Sequence, residues 1–333
     1  MFSLTSPKIL IGIRLGIGDV ILSTPVIQAL RRRFPDAYIT VEVSPNAREA
    51  IEGLPFIDQV ITYQKEIDST WSIIKKIRGN DVLIALDQRY RTAVHAFLAR
   101  IPIRTGLRTT RGFFLTHPVE ENQEAENMYQ TDYFADIIHR GLGIKLEIDN
   151  KDITVARPTD EHKRRVDKLF AAGGLTIDKP YVAISPFTSW DMKDWPIENF
   201  MAIIAFIREK GLETVLLGDS GAKKDTFYLG ESLNLMGKTA LCETAYIIEN
   251  AQLLISGCGM PIHMAAALGK QVISLHGPTS VKRWAPRGKC TPFSVNLTCG
   301  PCLGKQVECL DNQCMKRISD EQVIDAIRQI LQI

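Results

Sequence analysis

The chain has little that would carry it out of a cell or into a bilayer. Lys8 and Arg14 flank only a short apolar stretch with no small-residue cleavage site after it, so no secretory leader is expected. The longest uncharged run, Asn250 to Gly269, holds Asn250, Gln252, Ser256, Pro261, His263 and three glycines, which makes it a poor membrane span. An excess of one charge is absent too. Lys and Arg number 40 against 38 Asp and Glu, a net charge of +2 that gives no overall field for nucleic acid. The seven cysteines are an odd number without a leader, which points to reduced thiols in a reducing compartment. No Asp-x-Asp occurs anywhere, so a metal bridging a diphosphate through that motif is not expected. The turn Gly16-Ile17-Gly18 lacks the third glycine of the dinucleotide fingerprint, because Ile21 stands there, and it lacks the Lys and Ser/Thr of a P-loop.

What is present is ordinary globular composition, with 45% hydrophobic and 23% charged residues over 333 positions, enough for two domains. Lys8 to Arg14 reads as a buried strand, the glycine turn follows, and Asp19 to Phe34 carries apolar residues at helical spacing until Pro35. Tyr38–Val43, Val60–Tyr63 and Val82–Leu86 read as further strands, with a helix over Thr70–Arg78. Strands alternating with helices predict a parallel α/β sheet. The second half repeats the pattern. Strands are expected at Tyr181–Ser185, Glu213–Leu217, Leu253–Ser256 and Gln271–Leu275. Helices are expected at Glu198–Lys210, Ala240–Ala251, Pro261–Leu268 and Ser319–Leu331, with Ser319 and Gln322 at capping-box spacing. The linker falls between Ile148 and Asp178, with a helix Thr159–Ala172 inside it.

Five stretches could carry chemistry. Asp19 follows a glycine turn that opens a helix, and it reads either as a helix cap or as an acid presented to a ligand. In Ser185 to Pro196, the hydroxyls of Thr188 and Ser189 and the charge of Lys193 suit a diphosphate, although the same stretch also reads as a surface loop over packed tryptophans. Ser256-Gly257-Cys258-Gly259-Met260-Pro261-Ile262-His263 again joins a strand to a helix, and its glycines allow a ligand close to the backbone; His263 alone reads more simply as a hydrogen-bonded core residue. Cys299, Cys302, Cys309 and Cys314 could form a four-thiolate zinc or iron–sulfur site or remain plain thiols. Finally, Trp71 to Gly112 holds nine basic residues, among them Arg89, Arg104, Arg108 and Arg111, against Asp81 and Asp87. That segregation suits solvated helix faces, or a surface for an anionic acceptor or an anionic membrane face.

In their order along the chain these segments resemble glycosyltransferase family 9, which includes the heptosyltransferases of lipopolysaccharide core assembly. The resemblance rests on Gly18-Asp19-Val20 with Thr24-Pro25 and Leu30, on Lys193-x-Trp195-Pro196, and on Met236-Gly237-Lys238-Thr239. It continues through His263-Met264-Ala265-Ala266-Ala267-Leu268-Gly269, His276-Gly277-Pro278-Thr279 and the tail Cys314-Met315. It implies a GT-B α/β fold: two Rossmann-like parallel-sheet domains facing across a cleft, with a C-terminal helix closing the chain. Residues 1–155 would be the acceptor-binding domain and 156–333 the nucleotide-sugar-binding domain.

The implied reaction is inverting, metal-independent transfer of heptose or a related sugar from an ADP-sugar, with no cofactor, to a lipopolysaccharide core or other anionic glycolipid. The acceptor would lie at the inner face of the inner membrane, and the enzyme would be cytoplasmic with a peripheral place on that membrane. By the resemblance Asp19 is the general base, with Gly18, Arg89, Arg104, Arg108 and Arg111 toward the acceptor. Thr188, Ser189 and Lys193 match the donor diphosphate loop, and Gly218, Asp219 and Thr239 fall where the family meets ribose and base. Cys258-Gly259-Met260, ahead of His263, stands where the family has Asp-Ser/Thr-Gly. That departure leaves open another nucleotide sugar, or a sugar-nucleotide binding protein whose catalysis has lapsed. An epimerase or hydrolase of the same fold would need no acceptor surface, so the basic segment counts against it.

Overall fold

The computed structural model describes residues 6–109, 112–219, 230–302, 309 and 311–333, so Arg111 lies outside the described residues. The chain divides into two compact units, Met1–Ala156 and Arg157–Ile333.

The first unit runs β1 (Lys8–Ile13), α1 (Ile17–Arg33), β2 (Tyr38–Val43), β3 (Gln59–Thr62), α2 (Thr70–Ile77), β4 (Val82–Ala85), α3 (Tyr90–Leu98), β5 (Ile103–Leu107), β6 (His117–Val119) and α4 (Gln130–Leu142). Its six strands are all parallel, in the order β3-β2-β1-β4-β5-β6. β1 and β4 are central and covered on both faces, which is why Ile9–Ile13 and Val82–Ala85 are apolar runs. The fifth and sixth strands of the sheet were not expected from sequence: β5 contains Arg104 and Gly106, and β6 is three residues with Pro118 in the middle.

α1 is buried almost all round, from Val20 to Ile27. Pro25 inside it lacks the N–H that would reach the Ile21 carbonyl. The Thr24 hydroxyl donates to that carbonyl instead, at 2.7 Å. Thr24 also accepts from the Thr154 N–H at 3.0 Å, and Gln28 donates to the Asp152 carbonyl at 2.6 Å. The segment leaving α4 is thereby tied back along α1.

The second unit runs α5 (Asp160–Ala172), β7 (Tyr181–Ser185), α6 (Ile197–Glu209), β8 (Glu213–Leu216), β9 (Leu233–Asn234), α7 (Leu241–Asn250), β10 (Leu253–Gly257), α8 (Met260–Ala267), β11 (Val272–His276), α9 (Val281–Trp284), β12 (Cys290–Ser294), α10 (Gln313–Lys316) and α11 (Asp320–Leu331). Its sheet order, β12-β11-β10-β7-β8-β9, is again fully parallel and repeats the first unit's order strand for strand. Both units are therefore Rossmann-like, with the chain reversing direction across the sheet between β1 and β4 in one and between β7 and β10 in the other. α11 starts at Ser319, whose hydroxyl accepts from the Gln322 N–H at 3.4 Å. Met315, Ile318, Val323 and Ile327 pack into the core beside Trp195 and Phe200, and the Trp195 indole donates to the Ile318 carbonyl at 3.0 Å.

Candidate active site

In a doubly wound sheet, ligands bind beyond the carboxyl ends of the strands, at the point where the strand order reverses. Asp19 in the first unit, and Thr188, Lys193 and Cys258 in the second, lie near that point; several other sequence-predicted residues do not.

In the first unit the loop after β1 carries Arg14, and Asp19 follows in the first turn of α1. Gly16 is the N-cap of α1, so Asp19 lies three residues inside the helix rather than at the cap position. Its half-buried carboxylate accepts from the Gln130 side-chain amide at 3.3 Å. Gln130 opens α4 and is 3% exposed; its neighbour Thr131 donates to the Leu22 carbonyl at 2.7 Å, so α4 is anchored on α1 on both sides of the acid. Sequence reasoning missed Gln130, and no local signal marks a contact between residues 111 positions apart.

Beside this turn lies a buried polar cluster that the sequence also did not reveal. The Arg14 guanidinium donates to Thr92 at 2.8 Å and stands 3.6 Å from Glu42 and 3.9 Å from Asp87. Asp87 in turn accepts from the backbone N–H groups of Arg14 (3.0 Å) and Arg89 (2.8 Å) and from the Thr92 hydroxyl (3.1 Å). Neither Glu42 carboxylate oxygen has a hydrogen-bond partner. Burial pushes the Glu42 carboxyl up to about 7; Arg14 works against that shift and Asp87 adds to it. His95 is driven the other way, down to about 4, by burial and by the charges of Arg14 and Arg91.

The arginines assigned to an acceptor do not share one place. Arg89, the N-cap of α3, donates to the Arg14 carbonyl at 3.3 Å and so stands at the mouth of β1. Arg104 lies near the start of β5, where its guanidinium donates to the carbonyls of Phe114 (2.6 Å) and Ile101, and burial lowers its pKa. Arg108 follows β5 and pairs with Glu120 at 2.7 Å in an exposed bridge.

In the second unit the loop after β7 and the turn after β10 are pressed together. The Lys193 ammonium donates to the Cys258 carbonyl at 2.9 Å. Thr188 donates to Asp194 from both its backbone N–H and its hydroxyl, each at 2.8 Å, which fixes the loop's shape. Gly257 is required by this contact: a Cβ there would meet the Thr188 methyl at 2.9 Å and the Lys193 carbonyl at 3.0 Å. Ser189 is exposed at the loop's tip, and Gly259 and Met260 begin α8.

His263, one turn into α8, is 3% exposed, and its Nδ1 has no partner. Burial, then His276 and Lys193, lower its pKa to about 3. His276, at the end of β11, meets Ser274 at 3.0 Å and Thr279 at 3.3 Å, and burial and Lys193 lower its pKa to about 4. Both rings are therefore neutral near pH 7. Gly218, Asp219 and Thr239 lie one strand over, beyond β8. There the Gly237 N–H donates to the Gly218 carbonyl at 2.8 Å, and Thr239 bonds Thr244 at 2.9 Å. Asp194 and His276 are additions to the residues expected here.

A hollow of about 540 Å³ elsewhere in this unit, lined by Leu169, Gly173, Arg208, Glu231, Leu233 and Lys238 among others, holds none of these groups. None of Cys299, Cys302, Cys309 and Cys314 forms a disulfide, and burial raises the Cys314 pKa, with smaller contributions from Cys302 and Cys309. Among the described residues, no group of three or more His, Cys, Asp or Glu side chains is arranged to hold a metal ion. Among them, too, no helix is long and apolar enough to cross a membrane.

Two Rossmann-like units, each with a polar mouth at its reversal point, define the GT-B class of glycosyltransferase. The model of glycosyltransferase family 9 (heptosyltransferase) matches residues 70–311, and the chain belongs to that family. It is 27% identical over 296 residues to lipopolysaccharide heptosyltransferase 3 of Escherichia coli, covering 81% of this chain and 83% of the relative. Among solved structures it is similar to a family 9 glycosyl transferase from Veillonella parvula, with TM-score 0.81, 20% identity and 99% of each chain covered. It is also similar to the E. coli ADP-heptose lipopolysaccharide heptosyltransferase II, with TM-score 0.78, 20% identity and 98% of each chain covered.

Proposed function

We propose that this glycosyltransferase moves heptose from ADP-heptose to a lipopolysaccharide core acceptor, with inversion and without a metal. The names of the relatives support the sugar and the acceptor class, and the solved E. coli relative supports the ADP-linked donor. The observation that carries the reading is the ammonium of Lys193 at the reversal point of the second sheet, beside two neutral imidazoles. A leaving diphosphate gains negative charge as the glycosidic bond breaks, and a prepositioned cation with hydroxyl donors stabilises it. Lys193, Thr188 and Ser189 take that role. Gly218, Asp219 and Thr239 receive the nucleoside. Cys258, Gly259, Met260 and His263 close the donor side, the Cys258 carbonyl holding Lys193 at the place where the family has an acid.

Asp19 accepts the acceptor hydroxyl's proton as that oxygen attacks the anomeric carbon, and the Gln130 amide orients its carboxylate. Gly18, Arg89 and Arg108 face the acceptor's anionic groups in this reading; Arg104 is held by backbone carbonyls and braces the loop instead. The chemistry is a displacement: the acceptor oxygen bonds to the anomeric carbon, the bond to the diphosphate oxygen breaks, and ADP leaves with the electron pair.

A thermal-shift comparison of ADP-, UDP-, GDP- and CDP-sugars tests the donor. The ADP-sugar should stabilise by about 2.7 kcal/mol at one hundred times its dissociation constant, and the others far less. ADP release that requires the acceptor then separates a transferase from a hydrolase, and from a binding protein that releases none. A preference for UDP, GDP or CDP would overturn the donor assignment.

A further inference from the structure

Four large apolar side chains stand exposed on one face of the first unit: Phe113 at 85%, Tyr90 at 50%, Leu98 at 45% and Phe97 at 42%. The three rings among them are one patch, because each packs edge-on against Phe114, with centroids 5.4 Å (Tyr90), 5.4 Å (Phe97) and 5.5 Å (Phe113) away. Contiguous exposed apolar surface of this kind marks an interaction site.

The charge around it is predominantly basic, with Glu120 paired to Arg108 at 2.7 Å. From Gln88 to Val119 the chain carries six arginines and no Asp or Glu. Two of the six are built into the patch: the Arg104 guanidinium lies 5.5 Å above the Phe97 ring, and the stem of Arg108 fills the space where a Gly112 side chain would be. The patch reaches the mouth of β1, since Tyr90 adjoins Arg89, which donates to the Arg14 carbonyl.

We propose that this face, α3 with the turn at Gly112–Phe114, docks on an anionic phospholipid membrane. Aromatic rings settle at the level of lipid headgroups, and arginines beside them meet the phosphates, so each supplies a share of a binding energy that neither gives alone. A single-stranded nucleic acid would need flat ring faces for base stacking. Here the rings stand edge-to-face on Phe114, at interplanar angles of 74–89°, and Leu98 offers no face at all. Docking by this surface places the mouth of β1 at the lipid interface. It is independent of the donor assignment, because vesicle binding needs no transfer.

The test is co-sedimentation of the full chain with vesicles of phosphatidylcholine alone, or of three parts phosphatidylcholine to one part phosphatidylglycerol. Binding to the anionic vesicles, weakened by salt, is expected. Phe113→Ser should lower that partition roughly ten-fold or more, the scale of one buried aromatic side chain. Arg108→Gln should lower it about five-fold, the scale of one basic residue at an anionic surface. Ile67→Ser, at a residue 76% exposed in the loop before α2, should change nothing. Unchanged melting temperatures would show that the variants fold. Absence of vesicle binding, equal partition into both vesicle types, or wild-type partition by Phe113→Ser would overturn the proposal. So would binding of a single-stranded oligonucleotide, or a self-associated dimer, that Phe113→Ser abolishes while vesicles bind neither protein.

Discussion

At the mouth of β1 burial acts on an acid; at the mouth of β7 it acts on two imidazoles. Both mouths sit at the reversal point of the same strand order, yet in the first burial acts on an acid as well as on the imidazole of His95, and in the second on two imidazoles. In the first unit Glu42 is pushed up to about 7 while Arg14 and Asp87 stand beside it, and both Glu42 carboxylate oxygens and the Arg14 Nε are buried without a hydrogen-bond partner. In the second, His263 and His276 are held neutral, and Lys193 carries the local positive charge, resting on a backbone carbonyl rather than a carboxylate. One topology thus carries two differently charged mouths, which the proposed function reads as one that handles a proton and one that receives an anion.

The comparison breaks most sharply at Asp19. Asp19→Asn keeps an oxygen for the Gln130 amide to donate to, so fold and donor affinity should survive. A base that cannot take a proton should lose roughly 10²–10⁴-fold in turnover. Wild-type turnover in a stable Asn variant would falsify the proton-handling role of the first mouth.

Lys193→Ala tests the second mouth. Removing the cation should cost on the order of 10²-fold in kcat/KM and weaken ADP-sugar binding. Steady-state kinetics at varied donor concentration read both effects, and an unaltered donor KM together with unaltered kcat would take Lys193 out of the site.

The smallest effect concerns Glu42 and is read as stability against pH. Its pKa is near 7 when folded, against the ordinary 4.5 of a glutamate. Between those values the unfolded chain releases the proton while the folded chain keeps it, so this residue's contribution becomes less favourable as pH rises from about 4.5 to about 7. Glu42→Gln removes that dependence and leaves His95 the same in both proteins. The melting temperature of the variant, relative to wild type, should therefore be more favourable at pH 8 than at pH 4.5. A difference that does not change with pH would mean that Glu42 is ionised in the folded protein.

The central strands were legible because strands covered on both faces carry near-continuous apolar runs, as Ile9–Ile13, Tyr181–Ile184 and Leu253–Ile255 do. The outer strands were not. β9 has two residues, β6 three, and β12 carries Thr291, Pro292 and Ser294, because an edge strand has only one neighbour and little apolar surface to cover. α3 hid inside the basic segment, its apolar face looking outward at Tyr90 and Phe97. The loops proposed for the donor drew attention because glycines, hydroxyls and a lysine in the stretches that follow β7 and β10 are local signals. The partners that shape the first mouth could not: Glu42, Asp87 and Gln130 come to Arg14 and Asp19 from three other elements, and only the fold puts them there.

The seat of Met315 has a consequence for how the protein is made. Gly277, just after β11, leaves a slot in which the Met315 thioether lies 2.4 Å from where a Cβ would stand, and Ile318, Val323 and Ile327 continue the same core. The first unit has every strand and helix it needs once residue 156 has been synthesised. The second cannot close its core until Ile327 has left the ribosome. At translation rates of about 5–20 residues per second the nascent chain therefore spends on the order of ten seconds or more with one finished unit and one open, apolar sheet. Chaperone demand should fall in that interval.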